Sequence, residues 1–191
     1  MKKIMMTLAA ALMAVTMNAQ NFYVGGSLGY STTSYDGKTQ KSTFKFLPEF
    51  GIQFNENMGV GVEIGYGSTT REATEPKLTS SDFSFAPYFR YTPLHLGAVS
   101  VFADGKFSYV ASNNESAKGN VAVDNKSNEW GLYVQPGIAY SLNDKFALVA
   151  KFGNILGYTS SKPDADGAKA TNTFELLNLA NNVQFGFYYN F

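Results

Sequence analysis

Read backwards from its last residue, the chain alternates. Phe191, Tyr189, Phe187, Phe185 and Val183 are apolar or aromatic, and Asn190, Tyr188, Gly186 and Gln184 stand between them. A period of two belongs to a β-strand with one apolar face and one small or polar face. The same pattern recurs upstream. Phe22, Val24, Leu28 and Tyr30 share a face; so do Phe44 to Phe54, Val60 to Tyr66 and Phe83 to Tyr91, each taken at every second residue. Three more runs follow, over Val99 to Tyr109, Trp130 to Tyr140 and Phe146 to Tyr158. Asn154 interrupts the seventh run, and Leu176-Leu177 spoils the alternation above the last strand and predicts a bulge there.

Two kinds of connection separate these runs. Short turns are expected at 55–57, 92–98 and 142–144, and long polar loops at 32–42, 68–81, 111–127 and 159–173, the third being the longest. Eight strands with short turns at one end and long loops at the other predict an all-β fold, an eight-stranded antiparallel up-and-down transmembrane β-barrel. Strands of about ten residues suffice for a tilted span. Tyr30, Tyr66, Tyr109 and Tyr158 would form one aromatic girdle on the loop side, and Phe22, Phe54, Tyr91, Tyr140 and Phe146 another on the turn side. Pro48, Pro87 and Pro136 fall mid-strand on the outer face of even-numbered strands, where a missing donor predicts local bending of the wall.

Composition narrows the function classes. The 191 residues suit one domain, with 15 basic and 15 acidic side chains and no cysteine. Balanced charge gives no field for nucleic acid. The absence of cysteine excludes disulfides, thiolate metal sites and a lipid-anchored cysteine. Residues 1–19 read as a signal peptide: Lys2 and Lys3, an apolar run too short to span, then a cut after Ala19. Residues 20–191 would be the mature barrel.

With the signal, eight alternating strands and the ending Phe185-Gly186-Phe187-Tyr188-Tyr189-Asn190-Phe191, the chain resembles the OmpA/OmpX-type small barrels of the outer membrane protein beta-barrel domain family. The resemblance implies the outer membrane of a Gram-negative bacterium. It implies contact with outer-membrane lipid and lipopolysaccharide, and recognition of Phe187, Tyr189 and Phe191 by the barrel assembly machinery. An extracellular protein or host partner would meet the surface loops. It says little about activity, because such barrels serve as adhesins, anchors, receptors and occasional enzymes. The anchoring role is not expected, since no peptidoglycan-binding domain follows Phe191.

Candidate chemistry is sparse. His95, the only histidine, falls in the second turn and reads as a turn residue. Asp164-Ala165-Asp166-Gly167 resembles the start of a calcium loop but lacks its later ligands. No cofactor and no metal site is expected. The informative set is luminal: Glu49, Glu63 and Asp104 against Arg90, Lys106 and Lys151, all inward by strand parity. A turn centred on Glu56 puts Glu49 opposite Glu63, so a cation must intervene. This predicts an ion-paired plug in an interior just wide enough for side chains. The expected function is a non-enzymatic display of four surface loops, structural or adhesive, over an occluded lumen. The alternatives are a narrow porin-like channel and a soluble lipocalin-like barrel with its faces reversed.

Overall fold

The computed structural model describes residues 22–35, 38–71, 78–118, 121–164, 167–179 and 183–191. The proposed signal peptide lies outside the described residues. Ten strand segments are present: β1 (Phe22–Tyr35), β2 (Lys38–Gln53), β3 (Met58–Arg71), β4 (Leu78–Leu96), β5 (Val99–Lys118), β6 (Val121–Ser141), β7 (Phe146–Lys151), β8 (Asn154–Pro163), β9 (Thr171–Asn178) and β10 (Gln184–Asn190). They run antiparallel in the order β5-β4-β3-β2-β1-β10-β7-β6-β8-β9, and β6 returns to β5. That last pairing closes the sheet into a ring of eight staves, with β7 and β8 making the seventh and β9 and β10 the eighth.

Side chains sort by parity. Tyr23, Glu49, Tyr88, Arg90, Asp104 and Lys151 are buried inside, while Phe50, Phe85, Phe89, Phe107 and Leu132 are exposed on the outer wall. The interior fills by setting rings beside glycines. A Cβ on Gly51 would strike the Tyr23 ring, one on Gly61 the Tyr88 ring, and one on Gly137 the Phe102 ring. Outside, aromatic rings chain along the turn-side rim: Phe22 to Phe191 at 5.0 Å, Phe191 to Tyr189 at 4.8 Å, Tyr189 to Phe146 at 5.1 Å. On the loop side Trp130 packs against Tyr158 at 5.4 Å.

Two of the turns use one device. Asn55 Oδ1 accepts from the backbone N–H groups of Asn57 and Met58, each at 2.9 Å, and Asn143 Oδ1 does the same for Lys145 and Phe146. A carboxamide that mimics a backbone acceptor sets such turns locally. The remaining turn, second in chain order, is shorter than the expected 92–98. β4 runs on to Leu96 and pairs with Val99, leaving Gly97-Ala98 to reverse the chain, with Gly97 at φ 62°.

The long loops are also mostly ladder. β5 and β6 have 20 and 21 residues and pair from Val99↔Tyr140 to Lys118↔Val121. β3 and β4 pair out to Arg71↔Leu78. Polar residues at both parities hide these stretches from a period-of-two reading without making them irregular: a hairpin ladder continues wherever its backbone groups can pair. Thr43 and Thr69, facing across β2 and β3, join their hydroxyls at 3.2 Å.

The prolines behave differently from one another. At Pro48 and Pro87 the ladder to the next strand skips two residues and resumes in register: Phe46↔Tyr66 then Glu49↔Glu63, and Phe85↔Tyr109 then Tyr88↔Lys106. At Pro136 the register itself moves, from Val134↔Leu156 to Gly137↔Lys151. The seventh stave therefore spends 152–155 opposite two residues of β6. Asn154 lies in this surplus, which accounts for its break in the alternation. Leu177 has φ 56°, so the irregularity expected at Leu176-Leu177 is a left-handed residue.

Candidate functional site

The ladder places the luminal charges before any side chain chooses a rotamer. Glu49 faces Glu63 across β2 and β3, Arg90 faces Asp104 across β4 and β5, and Tyr88 faces Lys106 one step above. Lys151 ends β7, beside Gln184 of β10. A small ring brings all of them within reach of one another.

Glu49 is the hub. Its Oε2 accepts from Lys151 Nζ, and its Oε1 from Arg90 Nη2 at 3.0 Å, from Tyr188 OH at 2.9 Å and from Tyr88 OH. Tyr88 gives its proton to Glu49, so Tyr23 donates to the Tyr88 oxygen. Arg90 grips Asp104 bidentately, Nε to Oδ1 at 2.7 Å and Nη2 to Oδ2 at 2.8 Å. Planar guanidinium suits that fork, which a lysine could not reproduce. The cation is stacked on Phe102, with Cζ 4.0 Å from the ring centroid. Glu63 takes Lys106 Nζ at 2.8 Å and Lys151 Nζ at 3.2 Å, and Lys151 also lies 3.8 Å from Asp104.

Thus the two like charges on β2 and β3 are bridged by Lys151 from the opposite wall. Each acid has a cation, and Glu49, Asp104 and Lys151 are 2% exposed or less. Burial of so many charges is tolerable only because all are paired and further hydrogen-bonded. Parity alone identified the six ions. Tyr23, Tyr88 and Tyr188 face inward by the same parity, and their hydroxyls complete the shell of Glu49, a role that parity does not reveal. Gln135, equally inward, donates to the Phe152 carbonyl at 2.7 Å and so ties β6 to the interruption after β7. An inward polar atom beside a predicted charge was the signal for both.

The other candidates separate from this cluster. His95 is at the turn-side rim, with Nε2 3.0 Å from the Glu56 carbonyl and Nδ1 3.2 Å from Ser100 Oγ. Residues 165 and 166 of the calcium-like stretch lie outside the described residues, and among the described residues no group of acids and histidine has metal-binding geometry. Phe187, Tyr189 and Phe191 lie along the outer face of the closing stave, beside Phe146 and Phe22.

A family model for the outer membrane protein beta-barrel domain matches residues 4–191. The chain belongs to that family. Its place is the bacterial outer membrane, where the apolar wall sits among lipids and the paired charges face the lumen. This is the reverse of a soluble lipocalin-like barrel, which is not favoured. Among solved structures, a major outer membrane protein from Thermus thermophilus aligns over 90% of this chain and 98% of its own, with TM-score 0.56 and 14% identity. OprG of Pseudomonas aeruginosa aligns over 91% and 96%, with TM-score 0.54 and 16% identity. Neisserial surface protein A aligns over 89% and 97%, with TM-score 0.51 and 15% identity. These likenesses are of fold. No curated protein matches the sequence.

Proposed function

We propose that the protein is a non-enzymatic outer-membrane scaffold: a plugged barrel that holds four hairpin loops outside the cell as a contact surface for an extracellular protein or host partner. The observation that carries this reading is the Glu49 hub with its cations, a layer of buried, paired charge across the lumen. An ion crossing it would have to displace partners that are themselves buried. Extended hairpins such as β5–β6 give the loops a rigid base, as expected of binding segments carried on a scaffold. Planar-bilayer recording tests the occlusion. No steady conductance to small ions is expected. A steady current in the parent, together with unaltered stability on removal of Lys151, would move a narrow solute channel into first place.

The same reading assigns residues 1–19 to export and residues 20–191 to the mature barrel, with lipopolysaccharide packed against the loop-side girdle. Phe187, Tyr189 and Phe191 would be read by the barrel assembly machinery, because they form an outward aromatic row on the last stave, with Phe187 and Phe191 exposed. Deleting Phe191 should leave the protein in the periplasm, where it is degraded. Normal outer-membrane levels of the truncated chain would refute the assembly role.

A further inference from the structure

Below the ion-pair layer, at the turn-side mouth, is a separate cavity of about 360 Å³, lined by Arg90, Thr92, His95, Ser100 and Phe102 among others. A β-bulge shapes it. The β4–β5 register runs Tyr91↔Ala103 and then Leu94↔Val101, so Thr92 and Pro93 together oppose Phe102. Bulges re-aim side chains. Without the extra residue His95 would share the outward parity of Tyr91; with it, His95 pairs with Ser100 and turns to the mouth. The Glu56 carbonyl can only accept, so Nε2 of His95 carries the proton there, and Nδ1 accepts from Ser100. Sequence parity missed this because the bulge is invisible to a strict period of two.

Two donors carried by buried residues are left without protein partners among the described residues at this place, open only to the cavity. Arg90 is 4% exposed; its Nε and Nη2 are committed to Asp104, Glu49 and Tyr188, and among the described residues Nη1 meets no acceptor. Thr92 is 5% exposed, and its backbone is held by Asn57, but its hydroxyl has no partner among the described residues. A donor that opens on a polar cavity is met there by water or by a ligand. Both residues line the same cavity, which lies on the turn side, the periplasmic side of a barrel of this kind.

We infer that this mouth is a binding site for a small soluble oxyanion, a carboxylate or phosphate group, held by Arg90 Nη1 and the Thr92 hydroxyl. A guanidinium already fixed by Asp104 and stacked on Phe102 is pre-organised, so little side-chain freedom is lost on binding. Glu56 stands at the rim as the opposing charge, and the Asp104 and Glu49 carboxylates behind Arg90 moderate the attraction. The affinity is therefore modest. Whether the lumen conducts is a separate matter, read by current and not by binding.

The test uses the mature barrel in discs of zwitterionic lipid. Inorganic phosphate and acetate are titrated against chloride at fixed ionic strength, with the amide resonances of Thr92, Ser100 and Phe102 as the readout. Saturable shifts with phosphate or acetate, and none with chloride, are expected. Thr92→Val should weaken binding about tenfold, the worth of one hydrogen bond to a charged group. Glu56→Gln should tighten it severalfold, because the rim charge is lost while the carbonyl that holds His95 stays. Tightening cannot arise from misfolding. Absence of a saturable shift would mean that the cavity holds water only and would overturn the proposal, as would parental affinity in both variants.

Discussion

The β5–β6 hairpin and the closing seam of the barrel are built by different means. β5 and β6 are neighbours in sequence and pair along their whole length, from Val99↔Tyr140 to Lys118↔Val121. β1 and β10, from opposite ends of the chain, pair only from Tyr23↔Asn190 to Leu28↔Phe185. Above Leu28, β1 pairs with β2 alone, and β9 pairs with β8 alone among the described residues. A hairpin gains its ladder cheaply because its register is set next door; a closing pair must offset the ordering of everything between. What the seam lacks in ladder it gains across the lumen. Tyr188 of β10 reaches Glu49 of β2 and Arg90 of β4, Lys151 of β7 reaches Glu49, and Ser27 lies 3.5 Å from Gln184. The ion-pair layer is thus a set of cross-ties concentrated where the backbone is weakest.

Breaking the cross-ties should have the largest effect. Lys151→Met removes the cation between Glu49 and Glu63 and should cost roughly 3–5 kcal/mol, measured by urea unfolding in lipid vesicles; residual water in the lumen reduces the figure. Glu63→Gln in that background should recover part of the loss by removing one uncompensated acid. Lys126→Met, on the exposed part of β6, should change little. Equal effects of Lys151→Met and Lys126→Met would mean the cross-ties contribute nothing.

A wall substitution far from the seam gives the control of nearest size. Val62 lies on the outer face of β3, between Met58 and Tyr66, opposite Pro87. Arginine there should cost about 2–4 kcal/mol if the site is near the bilayer midplane. Its effect should be the same with or without Lys151, because the two act on opposite faces of the wall. Strong coupling between them in a double-mutant cycle would contradict the separation of lumen from lipid face.

Much of this was legible in the residues alone. Parity fixed which residues face inward, since a strand repeats every second residue whatever its neighbours do, and a turn centred near Glu56 was enough to set Glu49 against Glu63. The ends of the strands were not legible. In the hairpin extensions the sequence is largely polar at both parities, so the contrast that reveals a strand disappears although the ladder continues. Register shifts were hidden for a related reason. Pro93 and Pro136 both accompany a shift, whereas Pro48 and Pro87 leave only a gap, and the residue type is the same in all four. The outcome depends on whether either strand of the pair can hold surplus residues, as β4 does at Thr92-Pro93 and 152–155 do opposite β6. The role of the tyrosine hydroxyls was not legible, because an inward Tyr fills space and donates a hydrogen bond at once, and the second role needs a partner's position.

A gentler change should loosen the seam selectively. Tyr188→Phe keeps the ring that packs 4.8 Å from Tyr23 and deletes the hydroxyl that joins β10 to Glu49 and Arg90. The expected cost is about 1.5–3 kcal/mol for a hydrogen bond to a charged acceptor. Amide hydrogen exchange should quicken at Phe185 to Tyr189 and stay unchanged along β5–β6. Uniform quickening would show that the barrel opens as one unit and that the seam is not its weak line.

The smallest effect is expected above the seam, at Leu177. Its φ of 56° puts a side chain with a Cβ in the left-handed region, and it is 66% exposed, so packing within the chain returns little for the strain. A left-handed residue other than glycine costs roughly 1–2 kcal/mol. Leu177→Gly removes that strain, and the freer unfolded chain takes back about 0.5–1 kcal/mol. A net gain of about 0.5 kcal/mol should remain if the Leu177 side chain stands in water, and a net loss should appear if it is anchored in lipid, where removing an apolar side chain has its own cost. The sign therefore reports how deep β9 sits. Because β9 pairs with β8 and not with β1, exchange along β1 should not respond to the substitution. A slowing of exchange at Gly29 to Tyr35 would mean that relieving Leu177 lets β9 zip onto β1, and the seam would then be short because of one strained residue and not because of its place at the ends of the chain.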